Sequence, residues 1–152
     1  FGIPYKILRL ANVLGAKDTK VSKKKNALQY LIQRIVMDEP IELYDNGEFY
    51  RHYIDVRDCA VAIKYAMASD LPYNIYNISN DKSYKFRDLI NMAIDYSGSK
   101  STIWDKLDIP EFHRIVQTKS ISLSNSRLLE TGYTPRYAIE DTIRDIIDDY
   151  KR

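Results

Sequence analysis

The stretch from Glu42 to Asp58 (ELYDNGEFYRHYIDVRD) constrains the chain more than any other. Two β-rich runs flank Asp45-Asn46-Gly47-Glu48. Asn and Gly accept positive φ at little cost, so the stretch reads as two short strands, Ile41–Tyr44 and Phe49–Val56, joined by a tight turn. Asp58 has the chemistry of an N-cap before the apolar helical run Cys59–Ser69. Tyr44 lies just before the turn and Arg51 just after it, which puts an aromatic face and a guanidinium fork on one ribbon. Such a pair suits stacking on a base and a bidentate grip on phosphate. A plainer reading makes Tyr44 a half-buried strand aromatic and Arg51 a cross-strand surface partner. These residues alone leave both readings open.

The rest of the chain alternates strand-like and helix-like patterns. Tyr5–Leu10 alternates apolar positions behind Pro4, which cannot donate to a ladder and suits the start of a strand. Residues 11–25 read as a polar connection ending in Lys23-Lys24-Lys25. Leu28, Leu31, Ile32, Ile35 and Val36 repeat at helical spacing behind a capping Asn26, so Asn26–Asp38 is predicted as an amphipathic helix ended by Pro40. Tyr73–Ile78 is a β-rich run, Tyr84–Phe86 is extended and Arg87–Tyr96 is a helix closed near Gly98. Ser101–Trp104 is a short strand, and residues 105–118 read as irregular. Ser124-Asn125-Ser126 caps a short helix that Gly132 closes. Ala138–Tyr150 is a final amphipathic helix with Ile139, Ile143, Ile146 and Ile147 on one face. This mixture predicts an α/β fold.

With 152 residues, one core and one domain over residues 1–152 are expected. A net charge of +2 is too small to argue for nucleic acid, and no apolar run approaches the roughly 18 residues of a membrane span. Cys59 is the single cysteine, so no internal disulfide can form; its apolar setting reads as a small core residue in a reducing, cytoplasmic compartment. His52 and His113 lie far apart with no cysteine cluster, so no metal site is expected. The chain begins at Phe1 rather than Met, which reads as a fragment or processed product.

Four segments, in order, resemble the C-terminal half of the extended short-chain dehydrogenase/reductases, the NAD-dependent sugar-nucleotide epimerases and dehydratases. Pro4–Gly15 (PYKILRLANVLG) is similar to the strand ending in Arg-x-x-Asn. Asn26–Asp55 is similar to the helix, the base-binding strand and the Gly-x-x-x-Arg-x-Tyr-Ile segment. Tyr73–Tyr96 is similar to the Tyr-Asn-Ile strand and the next helix, and Ser124–Tyr150 to the closing helices around Gly-Tyr-x-Pro. The resemblance implies the end of a Rossmann-like parallel sheet plus a small mixed α/β substrate-binding domain. It implies a nucleotide-diphosphate sugar as substrate and NAD as cofactor of the whole enzyme, a UDP-glucose 4-epimerase-like protein acting in carbohydrate metabolism and polysaccharide biosynthesis.

The same resemblance assigns roles residue by residue. Asn12 would hydrogen-bond substrate near the diphosphate; an Asx-turn asparagine closing a strand is the plainer alternative. Leu10, Ala11 and Val13 would line the nicotinamide. Lys25, Asn26 and Leu28 sit where a helix N-terminus meets the nucleotide. Glu42 and Tyr44 would contact the base, Arg51 and Arg114 the phosphates, and Gln117 the ribose. His52 stands where Asp is common, Ser124 replaces an Asp, and Leu14-Gly15-Ala16 replaces Tyr-Gly-Pro. The family's G-x-x-G-x-x-G turn is absent, and no Tyr-x-x-x-Lys stands in a comparable setting. The chain is therefore expected to be a substrate-binding portion, inactive alone, with the NAD-binding half and catalytic pair outside it.

Epimerase is favoured over dehydratase; reductase and decarboxylase remain open. The rival reading is a nucleotide- or RNA-binding module built on the 13 tyrosines and the basic loop. Against it, charge is nearly balanced and no aromatic RNA-binding signature is found. An apolar strand at 5–10 without sheet neighbours would also expose an edge, so self-association or a homo-oligomer is expected.

Overall fold

The protein is described by a computed structural model covering residues 2–18, 26–106, 111 and 120–152. Seven strands and five helices alternate along these residues, in the order β1 (Ile7–Leu10), β2 (Asn12–Leu14), α1 (Ala27–Val36), β3 (Ile41–Tyr44), β4 (Tyr50–Asp55), α2 (Val56–Ala68), β5 (Ile75–Ile78), β6 (Ser83–Lys85), α3 (Phe86–Ser97), β7 (Ile103–Lys106), α4 (Ser126–Leu129) and α5 (Ile139–Tyr150). The α/β expectation holds. β2 falls inside the segment read as a polar connection: Asn12-Val13-Leu14 is too short to show alternation, and only its partner reveals it.

The strands form three small sheets. β1 pairs with β5 in parallel, β2 and β6 flank β4, and β3 pairs with β7 in parallel. The ribbon predicted for Ile41–Val56 is therefore corrected: its two strands exist but do not pair with each other. The turn between them explains why. Asp45, Asn46 and Gly47 all have positive φ (49°, 49° and 73°), which swings the chain into a different sheet instead of folding it back. The Asn46 N–H donates to Asp105 Oδ1 at 2.8 Å, and Arg87 donates to the Asn46 backbone O at 3.2 Å. A Cβ on Gly47 would lie 3.1–3.2 Å from the Arg87 backbone and Cβ, so glycine is needed both for φ and for space.

Two cores follow from this split. The first packs Leu28, Ile32 and Ile35 of α1, Leu89 and Ile90 of α3, and Ile139, Ile143, Ile146 and Ile147 of α5 over Ile41 and Leu43 of β3. The second sits under β1 and β5 and joins Ile54, Cys59, Ala62, Ala66, Tyr76, Ile78, Leu128 and Tyr133. Cys59 is a buried core residue whose thiol pKa is raised by burial.

The hinge between the cores is the Asp55-Val56-Arg57-Asp58 corner, and it corrects the predicted cap. Asp55, not Asp58, caps α2, accepting from the Arg57 N–H at 2.7 Å. The buried Asp55 carboxylate also accepts two bonds from the Arg57 guanidinium, at 2.8 and 2.7 Å, and one from Thr142 Oγ1 of α5 at 2.8 Å. Asp58 is spent elsewhere: its Oδ2 accepts the N–H groups of Arg136 and Tyr137, both at 2.9 Å. Arg57 lies over the Tyr137 ring at 3.7 Å and pairs with Asp145 at 2.8 Å. Five polar side chains, Asp55, Arg57, Asp58, Thr142 and Asp145, thus fasten α5 and its leading loop to the end of β4.

Candidate functional site

The candidate site grows from the point where the chain changes sheets. β1 and β5 run parallel with Leu10 opposite Ile78, and the Ala11 N–H donates to the Ile78 O at 2.9 Å. One residue later Asn12 is opposite Tyr53 in the neighbouring sheet. Crevices at the carboxyl ends of parallel strands, where the chain direction splits, are where open α/β sheets bind ligands. Asn12 is exposed there, and its Nδ2 donates to the His52 O at 3.2 Å.

Asn26 brings α1 to the same place. Its Oδ1 accepts from the Leu28 and Gln29 N–H groups at 3.1 and 3.4 Å, and its Nδ2 donates to the Val13 O at 2.9 Å. One side chain therefore caps the helix and ties it to β2. The helix N-terminus carries a partial positive charge beside that strand. The buried Gln29 adds a second tie, donating to the Gly15 O at 2.8 Å. Gly15 itself is packed so closely that a Cβ would lie 2.5 Å from Val56 Cγ1.

Arg51 enters from β4. Its guanidinium is half-buried 4.5 Å over the Phe49 ring and donates to the Tyr50 O at 2.8 Å. Burial pulls its pKa below the ordinary arginine value, and Tyr53 acts in the opposite sense. Next to it His52 is buried, with Nδ1 3.4 Å from the Asn80 O, two residues past the end of β5. The β2–β4 ladder and the Asn26 ties thus gather Asn12, Asn26 and the strand carrying Arg51.

The other predicted residues fall elsewhere. Leu28 is a core residue, so only its backbone N–H faces the cap. Leu10 is 50% exposed, while Ala11 and Val13 are partly buried against the second core. Glu42 and Tyr44 lie in the separate β3–β7 sheet, opposite Trp104 and Lys106. There Lys106 pairs with Glu42 at 2.7 Å and sits 5.8 Å from the centroid of the Tyr44 ring, beside an exposed Trp104. Lys25, Arg114 and Gln117 lie outside the described residues.

Sequence reasoning missed Phe49, Trp104 and Lys106. Trp104 is the chain's single tryptophan and stands on a predicted strand, which is the one signal that marked it. Among the described residues no group of His, Cys, Asp and Glu is placed to hold a metal, and no helix is long and apolar enough to cross a membrane. Two open grooves of about 500 Å³ lie away from these residues. One is lined by Ile3, Tyr5, Lys6 and Met67, the other by Asp88, Asp95, Tyr96 and Arg144.

A dinucleotide cofactor makes definite demands on the residues that hold it. The 152 residues hold no Gly-rich turn between a strand and a helix to receive a pyrophosphate. One Tyr-x-x-x-Lys spacing occurs, Tyr96 to Lys100. α3 ends between them, at Ser97 and a left-handed Gly98, so the two do not share a helix face. The Tyr96 hydroxyl donates to Asp148, and the Lys100 N–H to Asp38. These residues do not fit an NAD site by themselves; what they offer is apolar surface at Leu10, Ala11 and Val13.

Parallel strands with helical crossovers, ending in polar residues at a sheet switch, define a Rossmann-like α/β fold. Residues 1–79 match the NAD dependent epimerase/dehydratase family, and the chain belongs to that family. ADP-L-glycero-D-manno-heptose-6-epimerase of Fusobacterium nucleatum is 26% identical over 116 residues, covering 72% of this chain and 35% of that protein. The structure of UDP-glucose 4-epimerase from Thermotoga maritima with UDP-glucose matches at a TM-score of 0.85 and 19% identity, over 99% of this chain and 47% of that one. UDP-N-acetylglucosamine 4-epimerase from Methanobrevibacter ruminantium in complex with UDP-N-acetylmuramic acid matches at 0.82 and 23%, over 99% and 47%. The chain spans from 33% to 47% of the length of the curated relatives it matches.

Proposed function

We propose that this chain is the substrate-binding portion of an NAD-dependent nucleotide-sugar epimerase, with 4-epimerization the favoured reaction. The observation that carries the reading is that Asn12, the Asn26-capped helix end and β4, the strand carrying Arg51, meet at one sheet switch. An amide, a helix N-terminus and a guanidinium are three kinds of group that bind a diphosphate. The family and the UDP-sugar complexes of similar fold support a nucleoside-diphosphate sugar as the ligand. Glu42 and Tyr44, on the β3–β7 face, are proposed to meet the base. Lys25, Arg114 and Gln117 are proposed as further contacts to phosphate and ribose. Leu10, Ala11 and Val13 are proposed to pack against the nicotinamide end of NAD held by another part of the protein, so the chain alone is expected to be inactive.

Calorimetric titration of the protein with UDP, dTDP, CDP, GDP and ADP tests this. One diphosphate is expected to bind well above its own nucleoside. Equal binding of diphosphate and nucleoside, or of none, contradicts it. A multi-site RNA-binding mode would instead lose affinity steeply with salt.

The edge of β1 supports a second part of the reading. Among the described residues β1 pairs only with β5, and Ile7 and Leu10 are 44% and 50% exposed. That edge is proposed to continue into the rest of a parallel sheet, and to drive self-association where the sheet is not completed. Light scattering of the 152-residue chain should then show mass rising with concentration. A constant 17.8 kDa species would count against it.

A further inference from the structure

Arg51 does not stand alone. Phe49 lies under its guanidinium at 4.5 Å, and Phe49 is in turn stacked on Phe86 with ring centroids 4.9 Å apart and planes 23° apart. The backbone locks the stack. The Phe86 N–H donates to the Phe49 O at 2.9 Å, one step beyond the β4–β6 pairing of Tyr50 with Lys85. The Gly47 turn just before Phe49 is pressed against Arg87, the residue after Phe86. Both rings are therefore fixed by elements outside the sheet switch itself.

We propose that Phe49 is a positioning residue for the nucleoside diphosphate: its ring face sets the plane in which the Arg51 guanidinium meets phosphate. The inference rests on the reading of Arg51 as a phosphate contact. The physical basis is directional. A cation held face-on by an aromatic ring keeps its N–H groups in a plane parallel to that ring. Phosphate oxygens engage a guanidinium in that same plane, often two at a time. An arginine on a flexible stem must order its rotamers on binding, which weakens affinity. Ordering it beforehand removes that cost from the binding step. The bond from Arg51 to the Tyr50 O at 2.8 Å gives the guanidinium a second anchor.

The test compares Phe49→Leu, Phe49→Met, Phe49→Tyr and Arg51→Ala in the intact protein. Each is titrated with the diphosphate that binds from the UDP, dTDP, CDP, GDP and ADP panel, and with the matching nucleoside. The expected result is a roughly 3- to 10-fold loss of diphosphate affinity in Phe49→Leu and Phe49→Met, within the range of cation–π and side-chain ordering effects. Nucleoside affinity should be unchanged, and Phe49→Tyr, which keeps the ring, should stay within about twofold of the parent. If Arg51→Ala loses diphosphate affinity but neither Phe49→Leu nor Phe49→Met does, the inference is overturned while the phosphate role stands. If either variant weakens diphosphate and nucleoside equally, Phe49 is merely structural and the inference is again overturned. If Arg51→Ala binds like the parent, the underlying phosphate reading fails and takes the inference with it.

Discussion

Arg51→Ala is expected to weaken binding of the nucleoside diphosphate by about 30- to 150-fold, as loss of about 2–3 kcal/mol of charge-assisted hydrogen bonding requires. The effect should be large because the guanidinium is half-buried, where charge interactions are screened less than at an open surface. Arg51→Lys should recover only part of the loss, since a lysine keeps the charge but not the planar fork. Calorimetry gives the affinities and a thermal melt gives the fold. Full diphosphate affinity in a folded Arg51→Ala protein would remove Arg51 from the site.

Asp55→Ala should cost about 3 kcal/mol of stability, at the lower end of what breaking a buried ion pair costs. The carboxylate is fully buried while its partner Arg57 remains 44% exposed, so the arginine regains water when the pair is lost. Thr142, in contrast, loses its buried acceptor on β4 and keeps only its bond to the Ala138 O. For a chain of this size the melting temperature should fall by roughly 6–12 °C. The pH dependence has a definite sign. Burial alone would raise the Asp55 pKa, but the bonds from Arg57 and Thr142 outweigh it and hold the carboxyl below its ordinary 3.8. A group depressed on folding stabilises above its unfolded pKa and loses that contribution as pH falls through the folded one. Denaturant unfolding should therefore show the parent and Asp55→Ala far apart at pH 7 and converging below pH 3.8. A gap that stays constant to the bottom of that range would assign the effect to packing instead of charge.

Local chemistry was legible in the sequence, and long-range pairing was not. Asn26 announced α1 because its cap and the apolar spacing of Leu28, Leu31, Ile32 and Ile35 are contained in the helix itself. Gly98 ended α3 for the same reason, through its own left-handed φ. The strands at 41–44 and 50–55 were found, but not their partners. Ile41 pairs with Ile103 and Asn12 with Tyr53, and no local pattern names a residue so far along the chain. The DNG turn, which normally favours a hairpin, here carries three positive φ values held by Asp105 and Arg87. The corner Asp-Val-Arg-Asp holds two aspartates three residues apart, and the local pattern pointed only to Asp58 as the cap. Tertiary partners decided between them, giving Asp58 to the loop at Arg136 and Tyr137 and leaving Asp55 for the helix. In the candidate site, Asn12, Asn26 and Arg51 were nameable from their resemblance to family positions. Phe49 was not, because it matters only through a stack with Phe86 across the β4–β6 pairing.

The most direct test of a diphosphate site at the sheet switch is backbone amide shift mapping on addition of the diphosphate that binds. The predicted result is a contiguous set of shifts at Asn12, at Ala27–Gln29 and at Phe49–Arg51, absent in Arg51→Ala. Shifts confined to the α3–α5 groove at Asp88, Asp95 and Arg144, with the sheet switch silent, would contradict it.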